Sequence, residues 1–283
     1  MVDQQGKVIN LKLDDIPAMP FVVSELMSLI ADPNASIQKV CDLISADAAI
    51  TSKILQVSNS PFFGCSREVT SLRNAVVIMG FNTIKSIVIT FSTRKVFKRK
   101  GLMEQLLWEH SVGAALAANL IAKHNKKVPP EEAFIGGLLH DIGKDIMNHC
   151  DNAKYEEVMK QVYNEGVDFI ETENDIFGFS HLDAGVIAIK KWKLPKSIEY
   201  AIKYHHDTSL VEDLSTTEKN YISIIALANL FCIKKGIGRR EGEESLDLAE
   251  TIPAKDLGLD KEIIDKLLIT FEQSYEEEKG MFI

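Results

Sequence analysis

The chain has 283 residues, 46% of them apolar and 26% charged, with a net charge of −9. That apolar fraction excludes an intrinsically disordered chain, because enough surface is available for burial to offset chain entropy. No stretch reaches the ~20 uninterrupted apolar residues of a membrane span, and no basic-then-apolar leader opens the sequence, so a cytoplasmic protein is expected. The charge is uneven: residues 1–101 hold 12 Lys/Arg against 8 Asp/Glu, and the remainder holds 20 against 33. The densest cations, Arg94, Lys95, Lys98, Arg99 and Lys100, fit a helix end, where positive charge meets the C-terminal dipole. The overall acidity argues against general nucleic-acid binding, which needs net neutralising charge.

In chain order the periodicity is helical. Val22, Val23, Leu26, Leu29 and Ile30 recur at three- and four-residue steps, and Asp32-Pro33-Asn34 ends that helix. Ser36 caps a second helix with Ile37, Val40, Cys41 and Ile44 inward, and Asp47 caps a third that Asn59-Ser60-Pro61 breaks. Residues 61–70 read as a loop carrying Phe62, Phe63 and Gly64. Ser71 opens a helix that Gly80 stops, and another runs from near Asn82 to the basic cluster. Gly101 is a plausible division. A long helical pattern follows, through Leu106, Leu107, His110, Ala114 and Leu120. Pro129-Pro130 starts a helix over 131–142, and further helices are predicted at 152–166, 182–193, 195–206 and 218–235. The tail has an amphipathic segment with Ile263, Ile264, Leu267, Leu268 and Phe271, expected to pack back on the core. No β-alternation is present, so the fold class is all-α. The expected division is an N-terminal helical subdomain over 1–101, a helical bundle over 102–236 and an acidic extension over 237–283.

Four cysteines, Cys41, Cys65, Cys150 and Cys232, lie far apart with no C-x-x-C pair, which suggests reduced core thiols. Ser60 and Ser111 have no partnered base to activate them. Gly136-Gly137 lacks the trailing Lys-Ser/Thr of a phosphate loop and suits close helix contact instead.

Seven histidines carry the chemical signal. Five sit in short polar islands on apolar helical patterns: His110, His140, His181, His205 and His206. Buried imidazoles must find partners, and these together with Asp141 satisfy one another most simply by sharing a divalent cation. On a helix, His205 and His206 would diverge by about 100°, so both reach one site only at a helix end or in a groove.

The order H…H-D-x-x-K…H…H-H resembles the HD superfamily of metal-dependent phosphohydrolases, with the HD-GYP ligand pattern nearest. I-P-A-M-P-F-V-V-S-E-L at 16–26, N-S-P-F-F at 59–63, M-G-F-N-T-I at 79–84, E-E-A-F-I-G-G-L-L-H-D-I-G-K at 131–144, I-F-G-F-S-H-L-D-A-G at 176–185 and W-K-L-P-K-S-I at 192–198 resemble the HDOD domain, an HD-related output domain of bacterial signalling proteins. The resemblance covers roughly residues 14–236.

The resemblance implies a divalent metal centre (Fe, Mn, Ni or Zn) of one or two ions, with Asp141 bridging. His181, His205 and His206 would hold one ion with Asp141, and His110 and His140 the other. Lys144 would approach a substrate phosphate; the plainer alternative is a surface lysine at a helix start. HD hydrolases complete the second ion's shell with an aspartate where this chain has Asn229, so Asn229 is a weakened ligand. No G-Y-P follows His205-His206, which argues against cyclic dinucleotide cleavage. Asp207 is expected to orient His206. A regulatory module with a retained metal site and little or no catalysis is expected, the alternative being a phosphohydrolase acting on a nucleotide through Asp141 and Lys144. The partner would be a signalling protein or a nucleotide, and no membrane is expected. A helix-turn-helix over Ser36–Asn59 lacks a recognition helix rich in Arg, Asn or Gln, which speaks against DNA.

Overall fold

The protein is described by a computed structural model covering residues 9, 11–31, 36–60, 68–97, 101–211 and 213–282. Among the described residues there is no strand. The helices are α1 (Phe21–Ala31), α2 (Ile37–Ser45), α3 (Ala48–Ser58), α4 (Leu72–Val96), α5 (Leu102–Asn125), α6 (Pro130–Leu139), α7 (Ile142–Cys150), α8 (Asn152–Glu165), α9 (Phe169–Phe177), α10 (His181–Lys191), α11 (Lys196–Tyr204), α12 (Thr216–Lys235), α13 (Ile252–Leu257) and α14 (Lys261–Phe282). The Asp32-Pro33-Asn34 helix stop, the Phe62-Phe63-Gly64 loop, Cys65 and the end of the basic cluster at Lys98, Arg99 and Lys100 lie outside the described residues.

The caps follow the sequence. Ser36 accepts the Lys39 amide, Asp47 accepts those of Ala49 and Ile50, and Ser71 accepts that of Asn74. Each satisfies an amide that the first helical turn leaves without a partner. Gly80 has φ +78°, so α4 is two helical runs joined at a kink. That conformation suits a residue without Cβ. By length and composition α4 could cross a membrane, with mean hydropathy 1.6 over its most apolar window; 56% of that window is buried in the fold.

The chain forms two compact units. One comprises Met1–Ala18 with Arg99–Leu268, the other Met19–Lys98 with Ile269–Ile283. This differs from the three-part division read from the sequence: the segment before α1 groups with the bundle, and the region after 236 is shared between the units. Charge steps and glycine punctuation mark where the chain turns, not what it packs against.

In the second unit α1, α2 and α3 pack on α4, and Phe91 stacks on Phe282 at 5.9 Å between ring centroids. In the first unit α5 and α12 are the central helices, and both are buried along most of their length. The run of Gly113, Ala114, Ala115, Ala117 and Ala118 lets α6 approach closely: a Cβ on Gly137 would collide with the Ala114 backbone. The segment before α1 is pinned to the end of α10, where Lys191 donates to the Ile16 carbonyl at 2.8 Å and Trp192 to that of Pro17 at 2.9 Å. Of the cysteines, Cys232 is buried, Cys41 half-buried and Cys150 exposed, so Cys150 is not the core thiol expected.

Candidate metal centre

Asp141 lies at the centre of the cluster. Helix α6 ends at Leu139, His140 is its C-cap and Asp141 is the N-cap of α7, so the H-D pair occupies the corner between two helices. One carboxylate oxygen of Asp141 faces His110 Nε2 and His140 Nε2, each at 3.5 Å, and accepts from Lys144 Nζ at 2.7 Å. The other faces His181 Nε2 at 3.4 Å and His205 Nε2 at 3.5 Å. Four imidazoles from four helix settings therefore converge on one buried carboxylate.

Backbone carbonyls set the tautomers, since a carbonyl can only accept. His140 Nδ1 donates to the Gly137 carbonyl at 2.7 Å. His205 is the C-cap of α11, and its Nδ1 donates to the Ile202 carbonyl at 2.9 Å. Both rings thus aim an unprotonated Nε2 inward. His140 Nε2, His205 Nε2 and Asp141 Oδ1 are buried without a hydrogen-bond partner. Leaving such atoms unsatisfied costs about 1–3 kcal/mol each. Imidazole lone pairs turned on the two oxygens of one buried carboxylate are the chemistry of a cation site.

His181 opens α10 and is held from behind. Its backbone amide and Nδ1 both donate to Glu173 Oε2, at 2.7 and 2.6 Å. Tyr155 donates to the other Glu173 oxygen at 3.1 Å. Glu173 and Tyr155 are fully buried. A carboxylate behind a histidine fixes the tautomer and raises the basicity of the outward nitrogen. That nitrogen lies 3.2 Å from His206 Nε2. His205 and His206 both follow the end of α11, which is how two sequence neighbours reach one site; their ring centroids are 4.2 Å apart.

His110 is held differently. Its Nδ1 donates to the Ile237 carbonyl at 3.2 Å, and its Nε2 is 3.0 Å from Asn229 Oδ1. Burial pushes His110 down to about 4, Lys144 and Arg239 add to that effect, and Asp141 opposes it. With Nδ1 protonated, Nε2 of the neutral ring meets the Asn229 oxygen lone pair to lone pair, which turning the Asn229 amide to present its NH2 group would relieve.

Burial also pushes His140 and His205 down, by more than Asp141 raises them. Burial alone would raise the Asp141 carboxyl; the Lys144 ammonium leads the groups that outweigh it and hold it well below the usual range. Neutral His110, His140 and His205 beside an ionised Asp141 are in the protonation states that metal ligands need. Two groups have ligand atoms all within 4.8 Å of one another: Asp141 with His181, His205 and His206, and Asp141 with His110 and His140.

A cleft of about 240 Å³ opens beside the cluster, lined by Asp141, Lys144, His206 and Asn229 among others. His206 is the exposed member of the set. Lys144 is buried, with Nζ 4.2 Å from the centre of the Phe169 ring, and is not a surface lysine.

Every histidine picked out from the sequence is in the cluster, as are Asp141, Lys144 and Asn229. Asp207 is not at His206. It is exposed and closes a turn on Ser209, accepting its amide at 2.9 Å, because Asp two residues before Ser forms a local Asx turn more readily than it reaches an imidazole. Sequence reasoning missed Glu173. The available signal was its spacing, four residues from both Phe169 and Phe177, which places a carboxylate on an apolar helical stripe.

The profile of the HDOD domain family matches residues 16–208. An uncharacterized protein from Treponema pallidum (strain Nichols) is 23% identical over 229 residues, 77% of this chain; the chain spans 42% of that relative's length. The crystal structure of an HDOD domain protein with unknown function from Geobacter sulfurreducens superimposes with a TM-score of 0.82 at 25% identity, covering 95% of this chain and 93% of that one. A protein from Shewanella amazonensis SB2B, provisionally described as a phosphohydrolase, shares the fold with a TM-score of 0.74 at 20% identity, covering 95% and 94%.

Proposed function

The chain belongs to the HDOD domain family, and on that premise we propose that it is a bacterial signalling module built round a single divalent-metal centre, with little or no hydrolysis. The observation that carries this is the pair of buried atoms without a hydrogen-bond partner, His205 Nε2 and Asp141 Oδ1, which lie 3.5 Å apart with His181 Nε2 3.4 Å from the same oxygen. Asp141, His181, His205 and His206 would hold the ion, with Glu173 fixing His181. Imidazole and carboxylate suit Fe, Mn, Ni or Zn. A second ion is disfavoured because Asn229 supplies no charge and engages His110, which would otherwise be its ligand. When bound, the ion supplies a local positive charge and Lewis acidity beside the cleft.

A phosphohydrolase is the second reading, favoured by one observation: Lys144 pairs with Asp141 at 2.7 Å and also lines the cleft. In that reading Lys144 would bind a phosphoryl oxygen and Asp141 would act at the metal. Reconstitution with manganese, iron or nickel and assay on phosphomonoesters and phosphodiesters separates the two. The module predicts metal binding without turnover. Turnover that disappears in Asp141→Ala would establish the hydrolase, and loss of all metal binding would reject both.

A further inference from the structure

The loop after α12 contributes to the same cleft, and it carries a cation that the metal centre does not use. We propose that Arg239 is the anion-recognition residue of this cleft, which with Lys144 grips the phosphoryl group of a small phosphate-bearing ligand. The proposal rests on reading the cleft as the ligand site of the metal-centred module.

The loop is built to hold Arg239 in place. The Ile237 carbonyl accepts from His110, and the Gly238 carbonyl accepts from the Tyr163 hydroxyl at 3.2 Å. Gly238 has φ +69°, and a Cβ there would collide with the Leu106 carbonyl and with His110. The Arg239 amide donates to the Gly236 carbonyl at 3.1 Å. The backbone on either side of Arg239 is thus fixed against the histidine cluster, and the half-buried side chain lines the cleft.

Two adjacent arginines are treated differently. Arg240 donates to Asn164 at 3.0 Å and lies 5.7 Å from the Tyr163 ring centroid. Among the described residues nothing hydrogen-bonds the Arg239 guanidinium. Two carboxylates besides Asp141 line the cleft: Asp168, which accepts the Glu171 amide at 3.1 Å, and the exposed Glu243.

A planar guanidinium matches two oxygens of a phosphoryl group at once, and an ammonium from α7 takes a third as a point charge. Typical ligand pockets run from about 300 Å³ upward, and this cleft is smaller. It therefore accommodates a phosphoryl group and a few attached atoms, with the rest of a larger molecule outside.

The test is calorimetric titration of the full chain with inorganic phosphate, as purified and after chelation, with metal content measured on the same samples. Wild type should bind phosphate. Arg239→Ala should weaken binding about tenfold or more, and Arg239→Lys by less, since a charge-assisted hydrogen-bond pair is removed in the first and only partly in the second. Unchanged binding in Arg239→Ala, or no binding by wild type at millimolar phosphate, overturns the proposal. Metal-loaded protein that ignores phosphate removes this inference and leaves the metal reading standing. Phosphate binding that depends on Arg239 in protein that takes up no metal even after equilibration with divalent ions keeps this inference and removes the metal reading. Both variants must match the wild-type circular dichroism melt for the comparison to count.

Discussion

Glu173 and Asp207 make opposite cases at the scale of single residues. Asp207 is adjacent to His206 in sequence yet turns away to Ser209, whereas Glu173 is eight residues from His181 and holds it directly. Sequence proximity favoured the wrong carboxylate because a short polar turn satisfies itself locally. The histidines were legible because each interrupts an apolar helical pattern; their convergence was not, since spacing within one helix says nothing of the next. Glu173→Gln keeps the shape and removes the charge. It should weaken metal affinity about 10- to 100-fold in a chelator-competition titration, and unchanged affinity would reduce Glu173 to a filler of space. Asn229→Asp should raise the metal stoichiometry from one towards two by elemental analysis; an unchanged ratio would count against the missing-charge account of the second site.

The lowered histidines also set a pH dependence. His110 titrates at about 4 in the fold and at ~6.5 when unfolded. Between those values the unfolded chain binds more protons, so stability falls as pH drops from ~6.5 towards 4 and levels off below. His140 and His205 are shifted the same way and add to the slope. Urea unfolding of chelator-treated protein should therefore show a falling midpoint across that window, and a flat profile would contradict the buried neutral imidazoles.

At the scale of elements, the site is assembled at helix ends. His140 and Asp141 fill the corner between α6 and α7, His181 opens α10, and His205 caps α11. What brings two of these ends together is Gly143: a Cβ there would strike the His181 carbonyl and approach the Gly185 amide. Gly143→Ala should destabilise the fold by about 1–3 kcal/mol through overpacking and separate Asp141 from His181, so both the unfolding midpoint and the metal affinity should fall together. A change in neither would mean that α7 and α10 tolerate more space than their contact suggests. The caps at Ser36, Asp47 and Ser71 and the Gly80 break were readable because each rests on local backbone chemistry. Helix α9 was not read although Asp168 caps its start and Gly178 its end: it is only nine residues long, and Glu171, Glu173, Asn174 and Asp175 interrupt its apolar face.

For the whole molecule, the acidic C-terminal region is part of the fold and not an appendage. Leu248, Leu257, Leu259, Ile264 and Leu267 are buried in the first unit, and the Ile237 and Gly238 carbonyls hold His110 and Tyr163. At about 1.5–3 kcal/mol per buried side chain, those five alone approach the ~5–15 kcal/mol that a domain has in total. A chain ending at residue 236 should lose its cooperative thermal transition in circular dichroism; a sharp melt near the wild-type temperature would show the region to be dispensable. Composition marked this region as acidic and amphipathic, but not that its first residues line the cleft, because that depends on a loop whose path is set by Gly238.

On this account the clustered imidazoles and Asp141 bind an ion. The most direct test is elemental analysis of purified wild type and of Asp141→Ala after equilibration with manganese, iron, nickel and zinc and removal of loosely held ions. The prediction is about one divalent ion per wild-type chain and a background level in the variant. Equal metal in both proteins, or none in either, would contradict it.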